Sequence, residues 1–153
     1  MKIKKLHRDS KVPTQGSEYA AGYDLYAYSV EDAFAHLGNG VSEYLIQPGE
    51  TVVVHTGICA QCDPGFFLGI FARSGLGIKS GIIPSNAVGV VDADFRGEIM
   101  VALYNHSNKP FSFKLGDRIA QMVQIPCVTG YIQVVDELDD TIRGAGGFGS
   151  TGK

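Results

Sequence analysis

Short runs of apolar, mostly β-branched residues alternate with tight polar turns along most of this chain. Residues 50–58 (ETVVVHTGI), 66–72 (FFLGIFA), 87–91 (AVGVV), 97–105 (GEIMVALYN), 118–125 (RIAQMVQI) and 131–135 (YIQVV) each predict a strand. Between them stand QPGE, CDPG, NHSNKP and KLGD, which carry the glycine and proline punctuation of turns. Strands at such close, turn-marked spacing predict an all-β protein, either a closed, distorted β-barrel or a double-sheet jelly roll. Helix is scarce. VEDAFAHLG (30–38) has room for about two turns with Ser29 as its cap, and SGLGIKS (74–80) for one turn at most. Strand alternation from Arg118 puts Ile119, Gln121, Val123 and Ile125 on one face, so Gln121 needs a partner there. The connection from residue 28 to residue 50 is long for a loop and reads as decoration or as a partner surface.

Composition narrows this further. A chain of 153 residues with 44% hydrophobic residues is most simply one domain, and 20 glycines with 6 prolines suit many short elements. A net charge of −3 lacks the basic footprint of a nucleic-acid binder, so an anionic ligand needs a local cluster of donors. The basic start, MKIKKLHRDS, has no apolar stretch behind it, and no run approaches a membrane span. The expectation is a soluble cytoplasmic protein, in a cell or in a virus-infected host. Cys59 and Cys62 form a C-x-x-C, but no helix is predicted after it and zinc would need two further ligands. Buried strand cysteines are the expected outcome.

Five stretches join special backbone residues to polar side chains. In AAGYDLYA (20–27) the small residues allow close backbone approach, and Asp24 among apolar neighbours needs hydrogen bonds or a ligand. In ARSGLGIKSG (72–81), Arg73 and Ser74 precede Gly75 at a turn whose free N–H groups suit a phosphate. In NAVGVVDADFRGE (86–98), Asp92 and Asp94 follow an apolar strand beside the ring of Phe95. The pair reads as turn formers, as a general base, or as ligands of a cation. GDRIAQMVQIP (116–126) carries Gln121. The tail RGAGGFGSTGK (143–153) has no hydrophobic period and should not fold alone. Its Walker-like GFGSTGK lacks the Ser/Thr after the lysine and the helix that would follow. Arg143 and Phe148 suit a segment that closes over a flat anion, with Ser150 and Thr151 reaching phosphate oxygens. The inventory is that of an all-β protein acting on a nucleotide-like anion.

AAGYDLYA, ARSGLGIKSGI, GVVDADFRGEI, GDRIAQMVQIP and RGAGGFGSTG occur in this order from residue 20 to residue 152, nearly the whole chain. Together they resemble the five signature motifs of the trimeric deoxyuridine triphosphatases (dUTPases). The resemblance implies a jelly-roll homotrimer with three sites at subunit junctions. Its barrel domain would span 1–142, and a flexible arm, 143–153, would close a neighbour's site. It implies hydrolysis of dUTP to dUMP and pyrophosphate, which removes dUTP and supplies dUMP for thymidylate synthesis. Asp92 matches the base that activates water for attack on the α-phosphorus. Asn86, Gly89, Val91 and the backbone of 86–91 match a hairpin that reads uracil and excludes the thymine methyl. Phe95 stands where the family usually has tyrosine; its ring would lie under the deoxyribose, without the phenolic O–H. Ser74 and Gln121 match phosphate contacts, Gly75 belongs with them to the substrate-binding set, and Arg73 and Arg118 match positions that are phosphate-side or structural. From the arm, Phe148 would stack on uracil, Arg143 would help hold the closed arm, Ser150 with Thr151 would contact the γ-phosphate, and Gly149 would belong to the substrate-binding set. Mg2+ would be held through phosphates and water, with Asp24 supporting the hydrated ion or the fold near it. Two rivals stand beside this reading. A dCTP deaminase resembles the family in fold but needs a proton-shuttling group, typically glutamate, which PSNAVGVVDADF (84–95) lacks. The other is a jelly-roll protein that binds nucleotide or partner without catalysis.

Overall fold

The structure, a computed structural model, describes residues 1–30 and 43–147. Thirteen strands run through these residues: β1 (Lys2–Lys5), β2 (Thr14–Gln15), β3 (Tyr23–Tyr26), β4 (Ser29–Val30), β5 (Glu43–Ile46), β6 (Thr51–His55) and β7 (Ile58–Gln61), then β8 (Phe66–Phe71), β9 (Ile82–Pro84), β10 (Gly89–Val91), β11 (Met100–Asn105), β12 (Phe111–Lys114) and β13 (Arg118–Pro126). Every pairing is antiparallel. One sheet has the order β10-β8-β13-β3-β2, a second β4-β6-β11-β9, and two-stranded sheets β1-β7 and β12-β5 complete a jelly-roll type of architecture.

The two large sheets share one core. Leu25, Leu68, Ile70 and Met122 from the first meet Val52, Val54, Val101 and Leu103 from the second in a single buried cluster. Alternation does this directly: in β6 only Val52 and Val54 are buried, and in β11 Val101, Leu103 and Asn105. Each buried aliphatic side chain contributes about 1.5–3 kcal/mol. Asn105 is the polar exception and is fully satisfied. Its amide donates to the carbonyls of Ile46 and Lys109, and its oxygen accepts from the Ser107 N–H and hydroxyl. It thereby ties the end of β11 to β5 and to the turn before β12.

Several expectations change. The run 50–58 is two strands, not one, because Gly57 turns the chain at φ +69. There a side chain would lie 2.3 Å from Ser10 Oγ and 3.0 Å from the Tyr28 ring, so only glycine fits. Residues 97–99 lie before β11 rather than in it, and AVGVV is strand only from Gly89. The run YIQVV forms no strand: Tyr131, Ile132 and Val134 stand almost fully in solvent, with no strand of the described residues beside them to complete a ladder. A register shift between Arg118 and Ala120 moves Ile119 off the face read for it, so that it is buried as Ala120 and Met122 are, while Gln121, Val123 and Ile125 keep their alternation as half-buried residues, Gln121 and Val123 both lying against Gly22. SGLGIKS folds as a six-residue π-helical segment, Gly75–Ser80, longer than one tight turn. Ser29 sits in β4 opposite His55. The helix read over 30–38 falls on residues outside those described, except Val30, which is in β4.

Candidate functional site

β9 belongs to one sheet and β10 to the other, so residues 84–91 cross between sheets instead of forming the regular hairpin expected for 86–91. The crossing is tight. Ala87 N donates to Pro84 O (3.0 Å) and Val88 N to Asn86 O (2.7 Å). Between them Ala87 adopts φ +62, a left-handed conformation that costs a non-glycine residue about 1–3 kcal/mol. β10 then runs along β8, with Gly89 opposite Ile70 at a spacing that leaves a side chain 3.1 Å from Ile70 Cβ. A turn closed by Phe95 N donating to Asp92 O (3.1 Å) follows. Arg96 braces it by donating from Nη1 to Ala93 O and Phe95 O, both at 2.8 Å.

This path wraps a cavity of about 340 Å³. Asn86, Gly89, Val91, Asp92 and Phe95 line it, five residues that the sequence reading set apart, and Ile70, Val101 and Ala102 are among its apolar walls. Its volume and lining suit a heterocycle, with the carboxylates of Asp92 and Glu98 among the polar groups that line it. Asp92 is exposed, and Phe95 is 42% exposed with its ring in the cavity wall.

Sequence reasoning missed Glu98, which also lines this cavity. It lies just beyond the stretch searched for a glutamate. Both of its oxygens are held: Oε1 accepts from Gly57 N (2.7 Å) and Oε2 pairs with His55 Nδ1 (2.8 Å). Beside it, the buried Thr56 hydroxyl donates to Ile99 O at 2.6 Å, and Ile99 N donates to Ile58 O. These bonds fasten the Asp92–Phe95 turn to the start of β7.

A second cluster gathers the phosphate-side candidates. The Asp24 carboxylate takes Arg73 Nε on Oδ1 (2.8 Å) and Arg118 Nη1 on Oδ2 (3.1 Å). The partner that Asp24 needs is thus a pair of guanidiniums, not nearby backbone, and the pair retains a net positive charge. Ser74 caps the π-helical segment with no side-chain bond to it, and Gly75 beside it is exposed. Gln121 Nε2 donates to Ala72 O (2.9 Å), and the amide lies so close to Gly22 that a Cβ there would meet Gln121 Oε1 at 2.7 Å. The close approach expected of Ala-Ala-Gly is therefore made by a side chain. Arg73 and Arg118 border a different cavity, of about 220 Å³, with Leu76, Phe111 and Phe113. Among the described residues, then, the Asp92 cavity and the arginine cluster line separate pockets. Arg143 Nε donates to Gly146 O within its own turn, and Phe148, Gly149, Ser150 and Thr151 lie outside the described residues. Cys59 and Cys62 are buried and all three cysteines are free; no cluster of three or more His, Cys, Asp or Glu side chains suited to a metal occurs among the described residues. Nor is any helix among them long and apolar enough to cross a membrane.

Comparison with known proteins agrees with this architecture. The family model described as dUTPase matches residues 8–152. The deoxyuridine 5'-triphosphate nucleotidohydrolase of Nautilia profundicola is 45% identical over 153 residues, covering 100% of this chain and 99% of its own. That of Hahella chejuensis is 41% identical, covering 97% and 91%. Among solved structures, the dUTPase of Staphylococcus bacteriophage 80alpha with dUpNHpp superposes with a TM-score of 0.83 over 99% of this chain and 98% of that one, at 21% identity. A mutant dUTPase from phage phi11 of S. aureus, described with a structural Mg(II) ion, gives 0.74 at 18% identity over 91% and 98%. Those two likenesses speak for the fold, and the full-length relatives speak for more: the chain belongs to the dUTPase family and is an enzyme of that class.

Proposed function

We propose that the chain hydrolyses dUTP to dUMP and pyrophosphate, with Asp92 as the general base for water attack on the α-phosphorus, and so removes dUTP while supplying dUMP. The observation that carries the reading is the convergence of Asn86, Gly89, Val91, Asp92 and Phe95 on one cavity of heterocycle size. In this reading the strained backbone of 86–91 meets the uracil edge, and Ile70 and Gly89 leave no space for a methyl group. The Phe95 ring forms the floor under the deoxyribose. Arg73, Ser74, Gly75 and Gln121 take the phosphates, with Arg73 held in orientation by Asp24. Charge neutralisation and positioning then do most of the work beside one base.

The separation of the two clusters within one chain supports a site assembled from several copies, in a homotrimer whose 143–153 arm supplies Arg143, Phe148, Gly149, Ser150 and Thr151. Barrel (1–142) and arm are on this view distinct functional parts. The exposed apolar run Tyr131, Ile132 and Val134 just ahead of the arm fits a segment that leaves its own barrel for another subunit.

Mg2+ fits this donor set as a hydrated ion held by the substrate's phosphates. Both Asp24 oxygens already face guanidiniums, which leaves it a supporting rather than a ligating group. When bound, the ion would supply charge neutralisation on the triphosphate. Deamination of dCTP is disfavoured because the one glutamate lining the cavity, Glu98, has both oxygens engaged. A cytoplasmic location agrees with a nucleotide substrate. Pyrophosphate release with magnesium, compared for dUTP, dTTP, dCTP and UTP, tests the proposal. Selective turnover of dUTP is expected. Ammonia release from dCTP, or binding of dUTP without turnover, would overturn it.

A further inference from the structure

The Phe95 ring has no hydroxyl and therefore no hydrogen bond to hold its tip in place. What locates it is Gly97. A Cβ built on Gly97 would lie 2.6 Å from Phe95 Cζ, 3.1 Å from Cε2 and 3.3 Å from Cε1, so the tip of the ring lies against the glycine's bare α-carbon. Carbon atoms in contact sit about 3.5–4.0 Å apart, so any side chain at 97 must drive the ring tip away by about 1 Å. The backbone need not follow. The turn is closed by Phe95 N on Asp92 O and braced twice by Arg96, none of which involves residue 97's missing side chain. The clashing atom is also the free end of an exposed side chain.

We propose that Gly97 is the positioning residue for the sugar wall: its lack of a side chain sets the depth of the Phe95 ring and hence the room left for the deoxyribose. This rests on the reading of the cavity as a dUTP site. Phe95 lines the cavity and Gly97 does not, so a ring driven off residue 97 moves toward the cavity and takes room from the sugar, an overlap worth about 10–200-fold in kcat/KM.

The test is kcat/KM for dUTP in four forms of the full chain: native, Gly97→Ala, Phe95→Ala and the double variant. Gly97→Ala is expected to lower kcat/KM about 10–100-fold in the native background and to change it less than about two-fold when Phe95 is already alanine. An unchanged kcat/KM in the native background, or an equal loss in both, would overturn the proposal. A crystal structure of Gly97→Ala reads the ring directly; a ring still lying over residue 97 overturns the idea whatever the activity. Absence of dUTP hydrolysis by the native chain would instead overturn the reading of the reaction, and the ring position would still decide the role of Gly97. Should Gly97→Ala fail to fold, Gly97→Ser carries the same two measurements.

Discussion

Replacing Asp24 by alanine removes the one carboxylate between two guanidiniums, and the structure sets the size of the loss. Asp24 is 14% exposed and Arg73 25%, and their bond runs from Nε at 2.8 Å. A hydrogen bond to a charged group in such a setting is worth about 1.5–3 kcal/mol. The Arg118 contact is longer, 3.1 Å, and that guanidinium is half exposed. Solvent screening reduces its share to about 0.2–1 kcal/mol. Asp24→Ala should therefore cost about 2–4 kcal/mol, which in a chain of this size lowers Tm by about 4–16 °C. Asp24→Asn keeps an acceptor for one arginine but sets an amide N–H against the other, so it should recover less than half of the loss. The assay is thermal unfolding at fixed protein concentration, since assembly would make Tm depend on it. A double-mutant cycle with Arg73→Ala isolates the pair, with an expected coupling of about 1–2 kcal/mol. Coupling below about 0.5 kcal/mol, the scatter of non-interacting sites, would show that the carboxylate does not hold Arg73.

Asp92→Asn should bind nucleotide normally and lose about 10²–10⁴-fold in turnover, measured by isothermal binding alongside pyrophosphate release. Removing residues 143–153 should leave the far-ultraviolet spectrum of the barrel unchanged yet reduce dUTP hydrolysis by about 10²-fold or more, because the substrate is no longer held in place. Gly57→Ala combines a left-handed φ with a 2.3 Å clash on Ser10 Oγ and should cost at least about 2 kcal/mol, read as a lower urea midpoint at constant slope. Asn105→Ala leaves the Ile46 and Lys109 carbonyls without their donor and should cost about 2–4 kcal/mol in the same titration.

The strands that the sequence disclosed were those whose β-branched residues alternate against a core, as in β6 and β11. Those it hid were short and polar, such as β1 (KIKK), β2 (TQ) and β12 (FSFK), where tertiary pairing and not composition makes the strand. YIQVV failed in the opposite sense. It has strand propensity but nothing to pair with among the described residues, and propensity alone forms no ladder. The bulge in β13 was invisible because alternation assumes an unbroken register. At the site, the uracil-side candidates came together because all five stand between residues 86 and 95. The Asp24–Arg73–Arg118 cluster joins residues 49 and 94 positions apart, and no local pattern announces such a contact. Glu98 could have been found as a carboxylate directly after the Arg-Gly pair, but its partners, Gly57 and His55, come from a distant turn.

The naked stretch from Val128 to Val135 has a price for the chain by itself. It carries a sticky ribbon of β-prone residues into solvent, which is the hallmark of a seed for fibres. Directly behind it stand Asp136, Glu137, Asp139 and Asp140. Like charges at the end of such a ribbon act as gatekeepers, repelling a second identical ribbon laid in register. Two copies of the chain are thereby kept from stacking ribbon on ribbon.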